Sequence, residues 1–145
     1  MRRSKSAIFL HFVWGTWDRL PLLTGEREDI AHRAIGAKCA ELATEIIALG
    51  GVEDHIHLLV DLPTTICVAD FIKHAKGASA HLISHQFAPD FFRWQGAYGV
   101  FSVSFGDLPR VSKYIHNQRQ HHQFDEIIPE WEMPIIPPSI TRSDP

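Results

Sequence analysis

EDHIHLLVDL, residues 53–62, is the stretch from which the rest of the chain can be read. Its apolar run has the length and composition of a buried strand, closed by Pro63. Just ahead of it, TEIIAL leads into Gly50-Gly51, so the sequence predicts two strands joined by a short glycine connection as a hairpin. Within the second strand, His55 and His57 stand two apart. Side chains at that spacing share one face, separated by roughly 6–7 Å of rise, so both imidazoles project to the same side.

Working outward, AIFLHFVWGTW at 7–17 is rich in aromatic and β-branched residues and reads as a first strand. A helix is expected from Glu26 to about Leu42, with Thr24 as its cap and Ile30, Ala34, Ile35 and Ala37 at helical spacing. Between Cys67 and Phe87, Val68, Phe71, Ile72, Ala75, Leu82 and Ile83 recur at three and four, which predicts a second amphipathic helix. YGVFSVSF at 98–105 alternates as a fourth strand, with Phe101, Val103 and Phe105 on one face. A third helix is expected from Asp107 to about His122, with Pro109 tolerated in its first turn. The order β-α-β-β-α-β-α predicts an α+β fold of the ferredoxin-like split βαβ kind, an antiparallel sheet with helices over one face plus a C-terminal helix. Residues 1–125 are expected to form this domain, and 126–145, with five prolines, an irregular arm.

A chain of 145 residues, 45% hydrophobic and 21% charged, can bury a core. It has no apolar run of the roughly 18 residues that span a bilayer, and a cytoplasmic location is expected. Cys39 and Cys67 form no C-x-x-C pair, so no disulfide framework or cysteine zinc site is indicated. The formal charge of −3 argues against holding long duplex DNA by its phosphates alone. Short single strands held by local basic groups, stacking and a metal ion remain compatible with it.

Two imidazoles need further ligands to hold an ion. Tyr114 and Gln118, four apart on the third helix, share one face, and Gln118 is a candidate third ligand. An oxygen donor beside two imidazoles suits Mg²⁺ or Mn²⁺ and phosphate chemistry more than a closed zinc site. Tyr114 beside a metal-bound phosphate is a candidate nucleophile, because a phenol with a pKa near 10 needs an adjacent cation to act at neutral pH.

His55-Ile56-His57 followed by Tyr114-x-x-x-Gln118 resembles the single-tyrosine HUH transposases of the insertion-sequence-200 type and their REP-associated relatives. FVWGTWDRLPLLT, EDHIHLLVDLP, FIKHAKGASAHLI, FRWQGAYGVFSVS and KYIHNQ look like successive blocks of that family over about residues 8–123. The resemblance implies a homodimer that binds single-stranded DNA, often at a hairpin. It implies Tyr114 as the nucleophile that forms a 5′-phosphotyrosine link, with His55, His57 and Gln118 as metal ligands. DNA contacts are expected from Arg2, Arg3, Lys5, Lys73, Lys76, Arg110, Lys113 and Arg119, in a chain less basic than the family often is.

Two rival functions fit the same residues. One is a phosphoesterase that activates water at the histidines and leaves no covalent adduct. The other is a non-catalytic or domesticated module that binds single-stranded nucleic acid on its sheet. His74, His81 and His85 read as a solvated helix face, and His116, His121 and His122 as a solvated helix end. Trp94 and Tyr98 read as core aromatics.

Overall fold

The structure, a computed structural model, describes residues 4–118 and 127–132. Its elements are β1 (Phe9–Gly15), α1 (Glu26–Glu41), β2 (Glu45–Val52), β3 (His55–Asp61), α2 (Val68–Gln86), β4 (Gly99–Ser102) and α3 (Leu108–His116). The sheet order is β2-β3-β1-β4 with every neighbouring pair antiparallel, which is the ferredoxin-like arrangement.

Alternation along the central strands assigns their two faces. Phe12 and Trp14 of β1, with Ile56, Leu58 and Val60 of β3, join Ile30, Ala31 and Ile35 of α1 and Phe71, Ile72 and Ile83 of α2 in the main core. Each of these larger side chains contributes about 1.5–3 kcal/mol by leaving water. The opposite face of β3 meets α3 instead: Leu59 packs with Ala48, Val111 and Ile115 in a second, smaller core. Because β3 is covered on both faces, its run is apolar except where His55 and His57 enter the α3 side.

Several local expectations are corrected. Gly50-Gly51 does not form the hairpin connection; both lie inside β2, and the turn is Glu53-Asp54. The turn carbonyls accept from Leu23 N (2.9 Å, Glu53) and Thr16 N (2.9 Å, Asp54), so the β1–α1 connection holds the hairpin end. The glycines serve packing, since a Cβ on Gly50 would lie 2.3 Å from the Ile115 carbonyl oxygen of α3. The N-cap of α1 is Gly25, at φ 54°, and not Thr24, whose carbonyl accepts from Arg27 N at 3.1 Å. The fourth strand ends at Ser102 because the chain turns into a 3-10 helix at Phe105–Asp107, which leaves Phe105 78% exposed. α3 ends at His116, and the expected helical continuation through residue 122 falls largely outside the described residues.

Candidate active site

The β1/β3 register pairs His11 with Leu59, Val13 with His57 and Gly15 with His55, which puts His11, His55 and His57 on the α3 side of the sheet. All three histidines are almost fully buried, at 1% exposure or less. Across from them, α3 presents Val111, Tyr114 and Ile115 at helical spacing, and Gln118 follows one turn on, 1% exposed. The seating depends on Gly50, which lets the α3 backbone approach β2 at Ile115.

The structure brings together all four residues that the sequence singled out. Gln118 Oε1 lies 3.3 Å from His55 Nε2, and Gln118 Nε2 donates to the Tyr114 carbonyl at 3.3 Å. The Tyr114 ring stands edge-on to His57 with centroids 5.9 Å apart. These contacts all form within a single chain.

A fifth residue joins them that the sequence did not single out. Residues 127–132 fold back over the site through a 3-10 turn at Pro129–Trp131. Glu132 Oε2 lies 3.0 Å from His57 Nε2 and 3.4 Å from His55 Nε2, while Oε1 accepts from the Tyr114 hydroxyl at 2.5 Å. Ile128 N donates to the same hydroxyl at 3.0 Å, and the Trp131 ring meets Tyr114 edge-on at 5.0 Å. Nothing in a proline-rich arm marks one glutamate among its neighbours, so only the folded geometry reveals it.

Each histidine is oriented from behind. Asp54 Oδ1 lies 2.6 Å from His55 Nδ1, and Arg19 holds the same carboxylate, with Nε 3.4 Å from Oδ2. Asp18 and Arg19 take positive φ values of 50° and 54°, and a Cβ on Gly15 would touch the Arg19 side chain at 3.0 Å. Behind His57, His11 Nε2 lies 2.8 Å from Nδ1.

The electrostatics follow from burial and these partners. Burial pushes the His11 imidazole down to about 3, so it is neutral. Burial opposes a charged His55, but its hydrogen bonds to Asp54 and Glu132 outweigh that and raise its pKa. Burial likewise opposes a charged Glu132, yet hydrogen bonds from His55 and His57 hold its carboxyl well below the usual range. Tyr114 is pushed up to about 12, by burial first and then by the Glu132 carboxylate on its hydroxyl. With Glu132 in place Tyr114 is thus held as a phenol.

The donor set fits a divalent ion. One nitrogen from each of His55 and His57 and an oxygen of Glu132 lie within 4.8 Å of one another, with the Gln118 amide oxygen beside them. Mixed imidazole, carboxylate and amide donors suit Mn²⁺ or Mg²⁺, and oriented outer partners such as Asp54 are what ligating histidines use.

The expected DNA contacts are not drawn into this pocket. Lys5, Lys73 and Lys113 are exposed, and Arg110 lies over the Trp131 ring, 4.9 Å from its centroid. Lys76 is half-buried and donates to the carbonyls of Gln95 (2.5 Å) and Ala97 (3.4 Å). Arg2, Arg3 and Arg119 lie outside the described residues. Trp94 is core, with Nε1 donating to Ser79 Oγ at 3.0 Å, and His74, His81 and His85 are exposed. Among the described residues no helix is long and apolar enough to cross a membrane.

Comparison with known proteins bears on these features. The profile of the family described as "Transposase IS200 like" matches residues 4–118. The ISDra2 transposase TnpA of Deinococcus radiodurans is 28% identical over 115 residues, 74% of this chain and 81% of that protein. The transposase for insertion sequence element IS200 of Salmonella typhimurium is 24% identical over 122 residues, 80% of each chain. Among solved structures, a D. radiodurans R1 protein described as a candidate transposase superposes with a TM-score of 0.65 at 27% identity, covering 81% of this chain and 98% of that one. A REP-associated tyrosine transposase bound to a REP hairpin shares the fold, with a TM-score of 0.63 at 16% identity over 88% of this chain and 74% of that one. The match runs from ahead of β1 to Gln118, spans the paired histidines and the tyrosine helix, and shows that the chain belongs to the IS200-like transposase family.

Proposed function

We propose that this transposase cleaves and rejoins single-stranded DNA through a covalent link to Tyr114, with His55, His57 and Gln118 holding a divalent metal ion. The observation that carries the reading is the joint placement of the Tyr114 hydroxyl and both histidine Nε2 atoms around one carboxylate, that of Glu132. A phosphate is also an anion with several acceptor oxygens and can take the place that Glu132 occupies. A Mg²⁺ or Mn²⁺ ion bound there supplies charge neutralisation for the phosphate and favours the phenolate. The Tyr114 oxygen attacks phosphorus, the bond to the 3′ oxygen breaks, and a 3′-hydroxyl leaves with a proton while the 5′ phosphate stays on tyrosine. The phenol proton passes to water, which returns a proton to the departing 3′ oxygen. Attack by a 3′-hydroxyl on the phosphotyrosine reverses the step and rejoins a strand, without nucleotide triphosphate. In this reading the substrate is a hairpin-forming strand met in the cytoplasm, with phosphate contacts from Lys5, Lys73, Arg110 and Lys113. Family resemblance supports a homodimer, although one protomer already carries every group of the site.

The test incubates the full chain with end-labelled hairpin oligonucleotides from its own flanking DNA and Mg²⁺ or Mn²⁺. A denaturation-resistant adduct is expected, absent with chelator and in Tyr114→Phe. His57→Ala is expected to abolish cleavage while leaving hairpin binding largely intact. Cleavage that persists without an adduct would favour a water-activating phosphoesterase. Hairpin binding indifferent to chelator, with no cleavage, would favour a binding module.

A further inference from the structure

His57 has two ring nitrogens, and the structure gives each a different partner. Nε2 lies 3.0 Å from a Glu132 carboxylate oxygen, and Nδ1 lies 2.8 Å from His11 Nε2. A carboxylate only accepts, so a singly protonated His57 carries its proton on Nε2 here and accepts at Nδ1 from the His11 Nε2–H. A metal ligand needs the reverse: a lone pair on Nε2 and a proton on Nδ1, which His11 Nε2 must then accept. Whatever sits behind His57 therefore has to donate in one state and accept in the other. Lysine and arginine cannot accept, and a carbonyl or carboxylate cannot donate. An imidazole can do both, provided that its own second nitrogen is not committed.

That condition is met. His11 Nδ1 is buried with no hydrogen-bond partner among the described residues, and its ring lies between the Phe101 and Trp131 rings at 6.0 and 6.3 Å. A carbonyl at that nitrogen would lock the His11 proton there. His55 is the contrast, because its Nδ1 is already engaged by Asp54 Oδ1 at 2.6 Å and by Arg19 Nη2 at 3.2 Å.

We propose that His11 is a positioning residue that changes tautomer together with His57, so that one buried imidazole serves either as a donor to Glu132 or as a metal ligand. This rests on the reading of His57 as a ligand given above. The protons balance: the His57 Nε2 proton leaves to water, the His11 Nε2 proton crosses the 2.8 Å bond to His57 Nδ1, and His11 Nδ1 takes one from water. The pair holds two protons in both states.

Long-range ¹H–¹⁵N correlation spectra of the ¹⁵N-histidine-labelled full chain read tautomers directly. Without metal, both His57 and His11 are expected as Nε2–H forms; with saturating Mg²⁺ both are expected to become Nδ1–H forms. In calorimetry His11→Phe should weaken Mg²⁺ binding roughly 10- to 100-fold, the usual effect of losing an outer partner of a ligating histidine. His11→Gln, whose amide can donate or accept, should restore most of it. If His57 changes tautomer with Mg²⁺ and His11 does not, the proposal is wrong and the metal reading stands. If no signal of His55 or His57 responds to Mg²⁺, the metal reading fails and this proposal fails with it. Should His11→Phe not fold, the wild-type spectra alone decide.

Discussion

Gly50→Ala tests how the tyrosine helix is seated. A Cβ at this position would stand 2.3 Å from the Ile115 carbonyl oxygen and 3.2 Å from its carbon, against an ordinary contact that begins at 3.4 Å. Both obstacles are backbone, so no side-chain rotation relieves the clash. The helix has to retreat by about 1 Å, a shift that carries the adjacent Tyr114 and, one turn on, Gln118 with it. Overpacking of this kind costs about 1–3 kcal/mol, which for a chain of this size lowers Tm by on the order of 3–10 °C. A nucleophile displaced by about 1 Å loses on the order of 100-fold in rate. The assay pairs thermal unfolding with single-turnover adduct formation on a labelled hairpin. Gly77→Ala is the control: exposed within α2, with nothing inside 4 Å of its Cβ, it should stabilise by about 0.5–1 kcal/mol and leave the rate alone. Wild-type Tm and wild-type adduct formation in Gly50→Ala would refute the close seating of α3 on β2 and the dependence of the tyrosine on it.

Further outcomes follow from the same geometry. In metal-free protein, the stability lost in Glu132→Gln should be greatest between about pH 4.5 and 6.5. Glu132, held below its ordinary 4.5, loses its contribution as pH falls below that value, and His55, raised above 6.5, loses its own as pH rises through its folded value; urea unfolding of both proteins across pH checks this. Glu132→Gln should also bring the Tyr114 phenol down from about 12, seen as phenolate absorbance at lower pH. Of the two thiols, exposed Cys67 should react with a chromogenic disulfide within minutes at pH 8. Cys39, buried and pushed up to about 11 by burial, should react only on unfolding, and two fast thiols would contradict its place in the core.

How much was legible in the chain differs from one feature to the next, for physical reasons. Element order and sheet order were readable because period-two and period-3.6 patterns report which face is buried, and β3 announces burial on both faces by its nearly unbroken apolar run. His55, His57, Tyr114 and Gln118 stood out because two-residue strand spacing and four-residue helix spacing each put a pair on one face. Gly50-Gly51 misled because glycine marks turns and close backbone contacts alike, and only the position of α3 separates the two. Glu132 and Arg19 act through contacts that local pattern does not encode: one arrives on a returning arm, the other through two left-handed residues. His11 was not singled out, because its partner, 46 residues away, is set by the β1/β3 register.

The most direct measurement digests the trapped protein–DNA adduct and locates the nucleotide-bearing residue by tandem mass spectrometry. The 5′ phosphate should be found on Tyr114, and only when Mg²⁺ or Mn²⁺ was present during the reaction. A nucleotide carried by any other residue, or on Tyr114 in equal yield under chelator, would contradict a tyrosine working from the pocket of the paired histidines.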